Sequence, residues 1–190
     1  MTDKPRCAWV TEDNLYLAYH DQEWGVPQFD DRILFEMLVL EGAQAGLSWL
    51  TVLRKRDNYR QAFGNFQLPT VASLSAAELM AAPGIIHHAG KLQSAITNAM
   101  AALSIQRDWG SLSNFLWQIV GGQPVVHQYQ RGFPLPSQTA ESQAMSRALK
   151  GYGMTFVGPT ICYSFMQATG MVNDHVMDCY RFRELTTSQK

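Results

Sequence analysis

Residues 41–49, Glu-Gly-Ala-Gln-Ala-Gly-Leu-Ser-Trp, set a carboxylate, an amide and an indole around two glycines between two long apolar stretches. Upstream, Asp30 and Asp31 are N-cap candidates, and apolar residues then face nearly every side as far as Leu40, which predicts a helix buried from several directions. Glu41 would end that helix, where a carboxylate is costly unless it meets a partner or a polar ligand. The spacing alone is equally compatible with a surface or internally bonded Glu41.

Further helical patterns follow on both sides of this stretch. Ser48 is a candidate cap for a second long helix ending at Phe66, and Ser75 with Glu78 forms a capping-box pattern. The other predicted helices are 16–24, 92–103 (with a stripe of Leu92, Ala95, Ile96, Ala99, Met100 and Leu103), 111–120, 139–150 and 159–169, the last two with Gly151 and Gly170 at C′. Only Val125 and Val126 resemble a strand. The fold class predicted is all-α.

Composition limits the partners. The chain has 190 residues with 46% hydrophobic content, enough for one domain or two small lobes. It opens with no signal-peptide pattern and contains no apolar run long enough to cross a membrane, so we expect a cytoplasmic protein with no membrane partner. The formal net charge of −1 does not favour nucleic acid in general, so any DNA contact requires a local patch.

The three cysteines are an odd number scattered over the chain, which argues against a disulfide framework and leaves room for metal binding. Cys7 and His20 near the start, with His175 and Cys179 near the end, are suitable ligands for a structural zinc with four protein ligands. The spacing of His175 and Cys179 predicts that they lie one helical turn apart. Buried thiols and unrelated histidines are the alternative, which the long separation of the two pairs leaves open.

Trp9, Trp24 and Trp49 fall in the first quarter of the chain. This clustering is compatible with a stacking pocket, although ordinary core packing accounts for most tryptophans.

Residues 83–91, Pro-Gly-Ile-Ile-His-His-Ala-Gly-Lys, form a predicted turn between two helices. Glycines 84 and 90 and the start of the following helix can point N–H groups at a phosphate, and Lys91 adds a positive charge. The alternative is a turn that only connects two helices.

Together these segments closely resemble the 3-methyladenine DNA glycosylase I family of bacterial repair enzymes, in the helix-hairpin-helix superfamily. The resemblance covers Cys7 to Cys179. It rests on Cys-Ala-Trp-Val at 7–10, Tyr-His-Asp-Gln-Glu-Trp-Gly-Val-Pro at 19–27, Leu-Glu-Gly-Ala-Gln-Ala-Gly-Leu-Ser-Trp at 40–49, Phe-Val-Gly-Pro-Thr-Ile-Cys-Tyr-Ser-Phe-Met-Gln at 156–167 and Asn-Asp-His at 173–175.

The resemblance implies a helix-hairpin-helix glycosylase fold with a zinc clip joining the two chain ends. It implies a hairpin lobe at about 30–120 and a second lobe formed by about 1–29 and 121–183. A monomeric, cytoplasmic enzyme is expected, which flips 3-methyladenine out of double-stranded DNA and hydrolyses its N-glycosidic bond.

The resemblance also implies residue roles. Glu41 and Tyr19 would hydrogen-bond the flipped base, inside an aromatic pocket of Trp9, Tyr16, Trp24 and Trp49. DNA contacts would come from Gln44 and Leu47, which fill the gap in the duplex, and from Gly84, Gly90 and Lys91 in the hairpin. One structural zinc would be held by Cys7, His20, His175 and Cys179.

Two departures from the wider superfamily stand out. Ile86 occupies the position of the hairpin's usual second glycine, and no aspartate stands at the expected catalytic position, an absence that is typical of this family. A catalytically silent DNA-binding module stapled by zinc is the alternative. A zinc hydrolase is disfavoured, because four protein ligands leave no open position on the metal.

Overall fold

A computed structural model describes residues 4–187; its regular structure is mostly helical with two very short strands, which confirms the all-α prediction. The α-helices are α1 Asn14–Gln22, α2 Asp31–Gln44, α3 Trp49–Leu53, α4 Arg56–Ala62, α5 Leu68–Ser73, α6 Ala76–Ala81, α7 Ala89–Trp109, α8 Leu112–Trp117, α9 Ala140–Gly151, α10 Pro159–Ala168 and α11 Tyr180–Thr187. Short 3-10 helices cover Gly64–Phe66 and Gln118–Val120. Strands β1, Val125–Val126, and β2, Val172–Asn173, pair in parallel.

Helix α2 lies at the centre and packs against α7 and α10. Its apolar residues from Leu34 onward are buried, as the sequence predicts. Asp30 caps the helix by accepting from the Ile33 N–H, whereas Asp31 reaches across to accept from the N–H groups of Leu112 and Ser113 at the start of α8. The helix continues to Gln44, so Glu41 lies in its last turn rather than at its end.

The predicted second long helix is wrong in its continuity, because the chain breaks between α3 and α4. Tertiary ion pairs hold the residues on either side of the break: Arg54 pairs with Asp13 at 2.7 Å, and Arg56 pairs with Glu23 at 2.6 Å. Lys55 lies between them and donates to the Gly84 carbonyl. No glycine or proline marks this break.

Two further helices were not predicted. Helix α5 begins with Pro69 in its first turn, a known helix-start signal, and α11 follows the last predicted motif.

Helices α6 and α7 form a hairpin around the turn at 82–88. The predicted capping box opens α6, with the Glu78 N–H bonded to the Ser75 hydroxyl and the Glu78 carboxylate bonded to the Ser75 N–H. Helix α7 buries most of its predicted stripe, but Met100 is 52% exposed and was wrongly included. No helix within residues 4–187 is long and apolar enough to span a membrane.

The two chain ends pack together. The N–H of Gly25 donates to the Gln167 carbonyl at 2.9 Å, and that of Gln28 donates to the Thr169 carbonyl at 3.0 Å. Gly170 has φ +69° and lies so close to Val26 that a Cβ would approach the Val26 carbonyl carbon to 2.4 Å. This glycine follows α10 as predicted.

Gly151, in contrast, lies inside α9. The left-handed residue after that helix is Gly153, with φ +83°.

Candidate active site

A cavity of about 180 Å³ opens between α1, the end of α2, the start of α3 and α10. The lining residues are Trp9, Tyr16, Tyr19, Trp24, Glu41, Gln44, Trp49, Leu135, Ser164 and Gln167. All six residues predicted to bind or surround a base therefore meet in one cavity, together with Gln44. Their individual roles remain predictions.

Aromatic rings form the walls of this cavity. Trp9 lies at the centre of one wall, with ring centroids 5.1 Å from Tyr16 and 5.0 Å from Trp24. Tyr19 and Trp49 form a second pair at 5.4 Å. The tilted rings present both faces and edges, an arrangement that accommodates a flat apolar ligand and favours a positively charged one.

Two polar groups in the cavity have no hydrogen-bond partner among residues 4–187. They are Oε2 of Glu41 and Nε1 of Trp49, both buried. Buried polar groups are almost always bonded, and leaving one unpaired costs about 1–3 kcal/mol. An acceptor and a donor left unpaired in one cavity are therefore evidence for a ligand that supplies both partners.

Burial changes the acid–base behaviour of the cavity. Glu41 is 4% exposed, and desolvation raises the pKa of its carboxyl group from 4.5 to about 8. Burial also raises the pKa of Tyr19 well above its ordinary value, and the nearby Glu41 carboxylate adds to that rise. Near neutral pH the empty cavity holds a neutral acid and a neutral phenol.

Sequence reasoning missed three lining residues. Gln167 and Ser164 belong to a motif quoted for the resemblance, which is the signal that marks them, whereas Leu135 lies in a long loop with no recognisable signal. The Gln167 amide donates to the buried carboxylate of Asp174 at 2.8 Å. Asp174 also bonds His127 at 2.6 Å, and that hydrogen bond raises the pKa of His127. This network fixes the orientation of Gln167.

A tight exposed turn joins α2 to α3 beside the cavity. The Leu47 N–H donates to the Gln44 carbonyl at 2.6 Å, and Gly46 between them has φ +82°. Ser48 caps α3 through the Thr51 N–H. Leu47 is 42% exposed, so the turn presents an apolar side chain at the cavity rim.

The hairpin turn is held by α4. Gly84 has φ +77°, and a Cβ there would lie 2.3 Å from the Asn58 amide nitrogen. Tyr59 accepts from the Ile86 N–H. At the start of α7, the N–H groups of Ala89 and Gly90 donate to no partner within residues 4–187. Both residues are exposed, and their predicted phosphate contact at this helix start stays a prediction.

Lys91 occupies a different environment from the one predicted. Its ammonium donates to the carbonyl of Ala43 at 2.9 Å and to that of Ala45 at 2.6 Å. Burial lowers its pKa. The side chain is therefore directed toward the end of α2, and the predicted DNA contact by Lys91 stays untested.

The four predicted metal ligands form a second, fully buried cluster. The donor atoms of Cys7, His20, His175 and Cys179 lie within 4.8 Å of one another. His175 Nδ1 is 3.5 Å from each sulfur, and His20 Nε2 is 3.5 Å from the Cys179 sulfur. A tetrahedral zinc with Zn–S of about 2.3 Å and Zn–N of about 2.0–2.1 Å sets sulfur and nitrogen about 3.5 Å apart. The residues therefore fit such a metal.

Both histidines of the cluster are oriented by their second ring nitrogen. His20 Nδ1 bonds Asp21 at 2.8 Å, and His175 Nε2 bonds the Trp24 carbonyl at 3.0 Å, the pattern expected of metal-binding histidines. His175 and Cys179 do not lie on a helix as predicted. His175 lies in the loop that follows β2, and Cys179 lies in the turn just before α11.

The cluster and the cavity share a wall. Trp9 lies 5.3 Å from His20, and Trp24 lies 4.5 Å from His175, between ring centroids. Consecutive residues of α1, Tyr19 and His20, therefore serve the two sites from one helical turn.

Comparisons with known proteins agree with this geometry. A family model described as methyladenine glycosylase matches residues 9–183. DNA-3-methyladenine glycosylase 1 of Escherichia coli is 51% identical over 177 residues, covering 92% of this chain and 95% of that protein. The Haemophilus influenzae DNA-3-methyladenine glycosylase is 44% identical, covering 92% and 96%. The Staphylococcus aureus 3-methyladenine DNA glycosylase I, solved to explain 3-methyladenine recognition, superposes with a TM-score of 0.89 at 40% identity, covering 92% and 95%. The chain belongs to the methyladenine glycosylase family.

Proposed function

We propose that this protein is a DNA-3-methyladenine glycosylase that flips the damaged nucleotide out of double-stranded DNA and hydrolyses its N-glycosidic bond. The observation that carries this proposal is the unpaired Glu41 carboxylate beside the unpaired Trp49 indole N–H in an aromatic cavity. The 3-methyladenine base in DNA is flat and positively charged, and it offers an amine donor and ring acceptors. Its amine can donate to Glu41 Oε2, and a ring nitrogen can accept from the Trp49 indole N–H.

The charge of Glu41 adapts to the ligand. In the empty cavity its raised pKa keeps it largely protonated near pH 7. A cationic base favours the carboxylate, so binding expels the proton and creates a charge pair in a site shielded from water. An exocyclic amine of the base donates to this carboxylate, and Tyr19 lies within the same cavity as a second polar partner.

The chemistry requires little from the protein. The bond between the base nitrogen and the deoxyribose C1′ breaks, and the electron pair leaves with the base, which neutralises its positive charge. Water then adds to C1′ and releases a proton, leaving an abasic site. Because the leaving group is already cationic, this barrier is lower than for a neutral base. Among the described residues lining the cavity, Glu41 is the only carboxylate, which agrees with the absence of the superfamily aspartate.

The DNA contacts we propose flank the cavity. Leu47, exposed on its tight turn, and Gln44 at the cavity rim fill the space left by the flipped nucleotide. Flipping costs a few kcal/mol, least for a damaged base. The free N–H groups around Gly90 and the turn at Gly84 approach a phosphate. Lys91 belongs to this hairpin, although its ammonium already bonds two carbonyls.

We also propose that the buried cluster holds one structural zinc. Two thiolates and two imidazoles are the ligand set that zinc prefers, and four protein ligands leave no position for a substrate. The metal would supply cross-linking between the chain ends rather than chemistry at the sugar. Cys162, the third cysteine, lies outside the cluster.

The proposed two lobes, about 30–120 and about 1–29 with 121–183, meet at the cavity, since its lining comes from all three ranges. Residues 1–3 of the second lobe lie outside the described residues. Because one chain supplies cavity, hairpin and metal ligands, we propose that it acts as a monomer. The relatives are bacterial, which supports the cytoplasm as the place where it meets DNA.

The alternative, a zinc-stapled module that binds DNA without catalysis, gives no reason for the unpaired groups in the cavity. The test is release of 3-methyladenine from methylated duplex DNA, with undamaged duplex as the control substrate. We expect the wild-type protein to release 3-methyladenine and to leave normal adenine in place. Tight binding of methylated DNA without any base release would instead support the non-catalytic module.

A further inference from the structure

The end of α2 carries the groups proposed to meet the damaged base, yet this end has no basic residue of its own in its last turn. The last carbonyls of a helix lack intrahelical partners and carry partial negative charge. Here the helix ends at Gln44, and the following C-cap residue Ala45, with φ and ψ of −45° and 114°, turns the chain away. The position of Glu41 and Gln44 therefore depends on what holds these last carbonyls.

Lys91 supplies that contact from another element. It lies in the first turn of α7 and reaches across the interface between α7 and α2, a narrow space that Gly42 and Phe156 also line. Its ammonium donates to the carbonyls of Ala43 and Ala45. Two of its three protons are thereby used, and the charge lies where the α2 helix dipole favours a cation.

We propose that Lys91 is a positioning residue for the base pocket, holding the last turn of α2 so that Glu41 and Gln44 keep their places opposite Trp49. Lys91 also follows directly on Gly90 in the hairpin proposed to contact DNA. One side chain therefore connects that hairpin to the base pocket. The pocket part of this inference rests on the proposed glycosylase function. The holding of α2 does not depend on it.

A direct contact between the Lys91 ammonium and a DNA phosphate is incompatible with this positioning role. An ammonium that turns to DNA leaves the two carbonyls of α2 without their cation, so the two roles compete for one group. Phosphate contacts strengthen binding to damaged and undamaged duplex alike and steepen the salt dependence. A positioning role acts on the free base too, where no phosphate is present.

Three variants separate the two roles. Lys91→Met keeps a long apolar side chain and removes the donor, whereas Lys91→Arg keeps a cation that reaches the same carbonyls. Lys55→Met is the matched control, because Lys55 also donates to a backbone carbonyl beside the hairpin, that of Gly84, but makes no bond to α2. Circular dichroism and the melting temperature confirm that each variant is folded.

The first measurement needs no substrate. Amide hydrogen exchange at residues 43–49 is expected to speed up by about tenfold in Lys91→Met, to stay near wild type in Lys91→Arg and to be unaffected in Lys55→Met. Unchanged exchange in Lys91→Met overturns the proposal. This result stands even if the wild-type protein releases no 3-methyladenine, which would defeat the proposed function alone.

The second measurement is functional. Calorimetry with free 3-methyladenine should show about tenfold weaker binding to Lys91→Met, equivalent to about 1.4 kcal/mol, with recovery in Lys91→Arg. The single-turnover rate on methylated duplex should fall by a similar factor, while affinity for undamaged duplex changes by less than about twofold. Normal free-base binding, combined with weaker binding to undamaged duplex and a shallower salt slope, would instead identify Lys91 as a phosphate contact.

Discussion

The cluster of Cys7, His20, His175 and Cys179 shares a wall with the base pocket, the aromatic cavity around Glu41, but the polar groups of the two sites differ in how they are hydrogen-bonded. In the cluster, the second ring nitrogen of each histidine has a hydrogen-bond partner, and the four donor atoms approach one another closely. In the pocket, Glu41 Oε2 and Trp49 Nε1 are buried and find no hydrogen-bond partner in the described part of the chain. A site whose groups satisfy one another contributes to stability, whereas a site with unpaired groups lowers stability until a ligand arrives. Mutations in the two sites should therefore change different measurements.

The largest effect is expected for Cys179→Ala. Loss of one ligand removes most of the metal's contribution to folding, so the melting temperature should fall by roughly 10 °C or more and bound zinc should be lost. The protein that remains folded should keep its preference for 3-methyladenine over adenine. Calorimetric unfolding and metal analysis after dialysis measure the change.

Cys162→Ala is the control for that variant. Cys162 is equally buried, but its thiol bonds only the Val157 carbonyl and lies outside the cluster. It should lose modest stability and retain the metal. Full zinc occupancy in Cys179→Ala would refute the assignment of the cluster.

The next effect concerns Glu41→Gln, which keeps an acceptor of nearly the same size and removes the charge. We expect the single-turnover rate of 3-methyladenine release to fall by about 100-fold, as for other electrostatic groups aimed at a reacting centre. Near neutral pH stability should stay the same or rise, because folding no longer has to protonate a buried carboxyl group. A variant that releases the base at the wild-type rate would show that the charge of Glu41 is not used.

The same variant isolates a pH effect. The pKa of Glu41 is about 8 in the folded protein against an ordinary 4.5. Between these values the folded state holds a proton that the unfolded state has lost, so this residue makes stability fall as pH rises from about 4.5 to about 8, with no further change above. Urea unfolding across this range should show that decline in the wild type. The difference between wild type and Glu41→Gln should shrink toward zero at the acid end.

The smallest effect is expected for Trp49→Phe, which removes the unpaired indole N–H and keeps an aromatic face. Its affinity for free 3-methyladenine should drop by about two- to tenfold, the worth of one hydrogen bond. Trp117→Phe removes an indole of the same size whose N–H donates to the Gln28 carbonyl at 2.8 Å. That control should lose stability by about 1 kcal/mol and bind the free base normally. Equal losses of base affinity in the two variants would mean that the loss is a general effect of replacing a buried Trp, not of the missing N–H at Trp49.

Sequence reasoning succeeded where the residues of one short segment determine its local structure. The apolar run before Glu41 predicted the buried α2, and the residues of α6 predicted its capping box. The four candidate metal ligands were grouped by their chemistry, and the structure brings their donor atoms together, although nothing local in the sequence shows that residues so distant in the chain meet. The resemblance supplied the pocket roles that the spacing of Glu41 left undecided.

The failures arise from contacts that no local pattern encodes. The break between α3 and α4 is stabilised by ion pairs from Arg54 and Arg56 to the first segment of the chain. The bonds from Lys91 to the carbonyls of Ala43 and Ala45 could not be foreseen from the turn that precedes it, and its DNA contact stays a prediction. Pro69 did mark α5, and this signal was available in the sequence.

The cavity and the cluster combine residues that are far apart in the sequence, so both can form only late in translation. Trp9, Tyr16 and Trp24 are synthesised well before α10, which contributes Ser164 and Gln167 to their cavity, and before Cys179, which completes the cluster. Trp24 and Cys179 are 155 residues apart, so at about 5–20 residues per second the aromatic segment waits about 8–31 s for its last partner. The cavity and the cluster therefore cannot be complete until α10 and Cys179 have been synthesised, and base binding is expected only after that point.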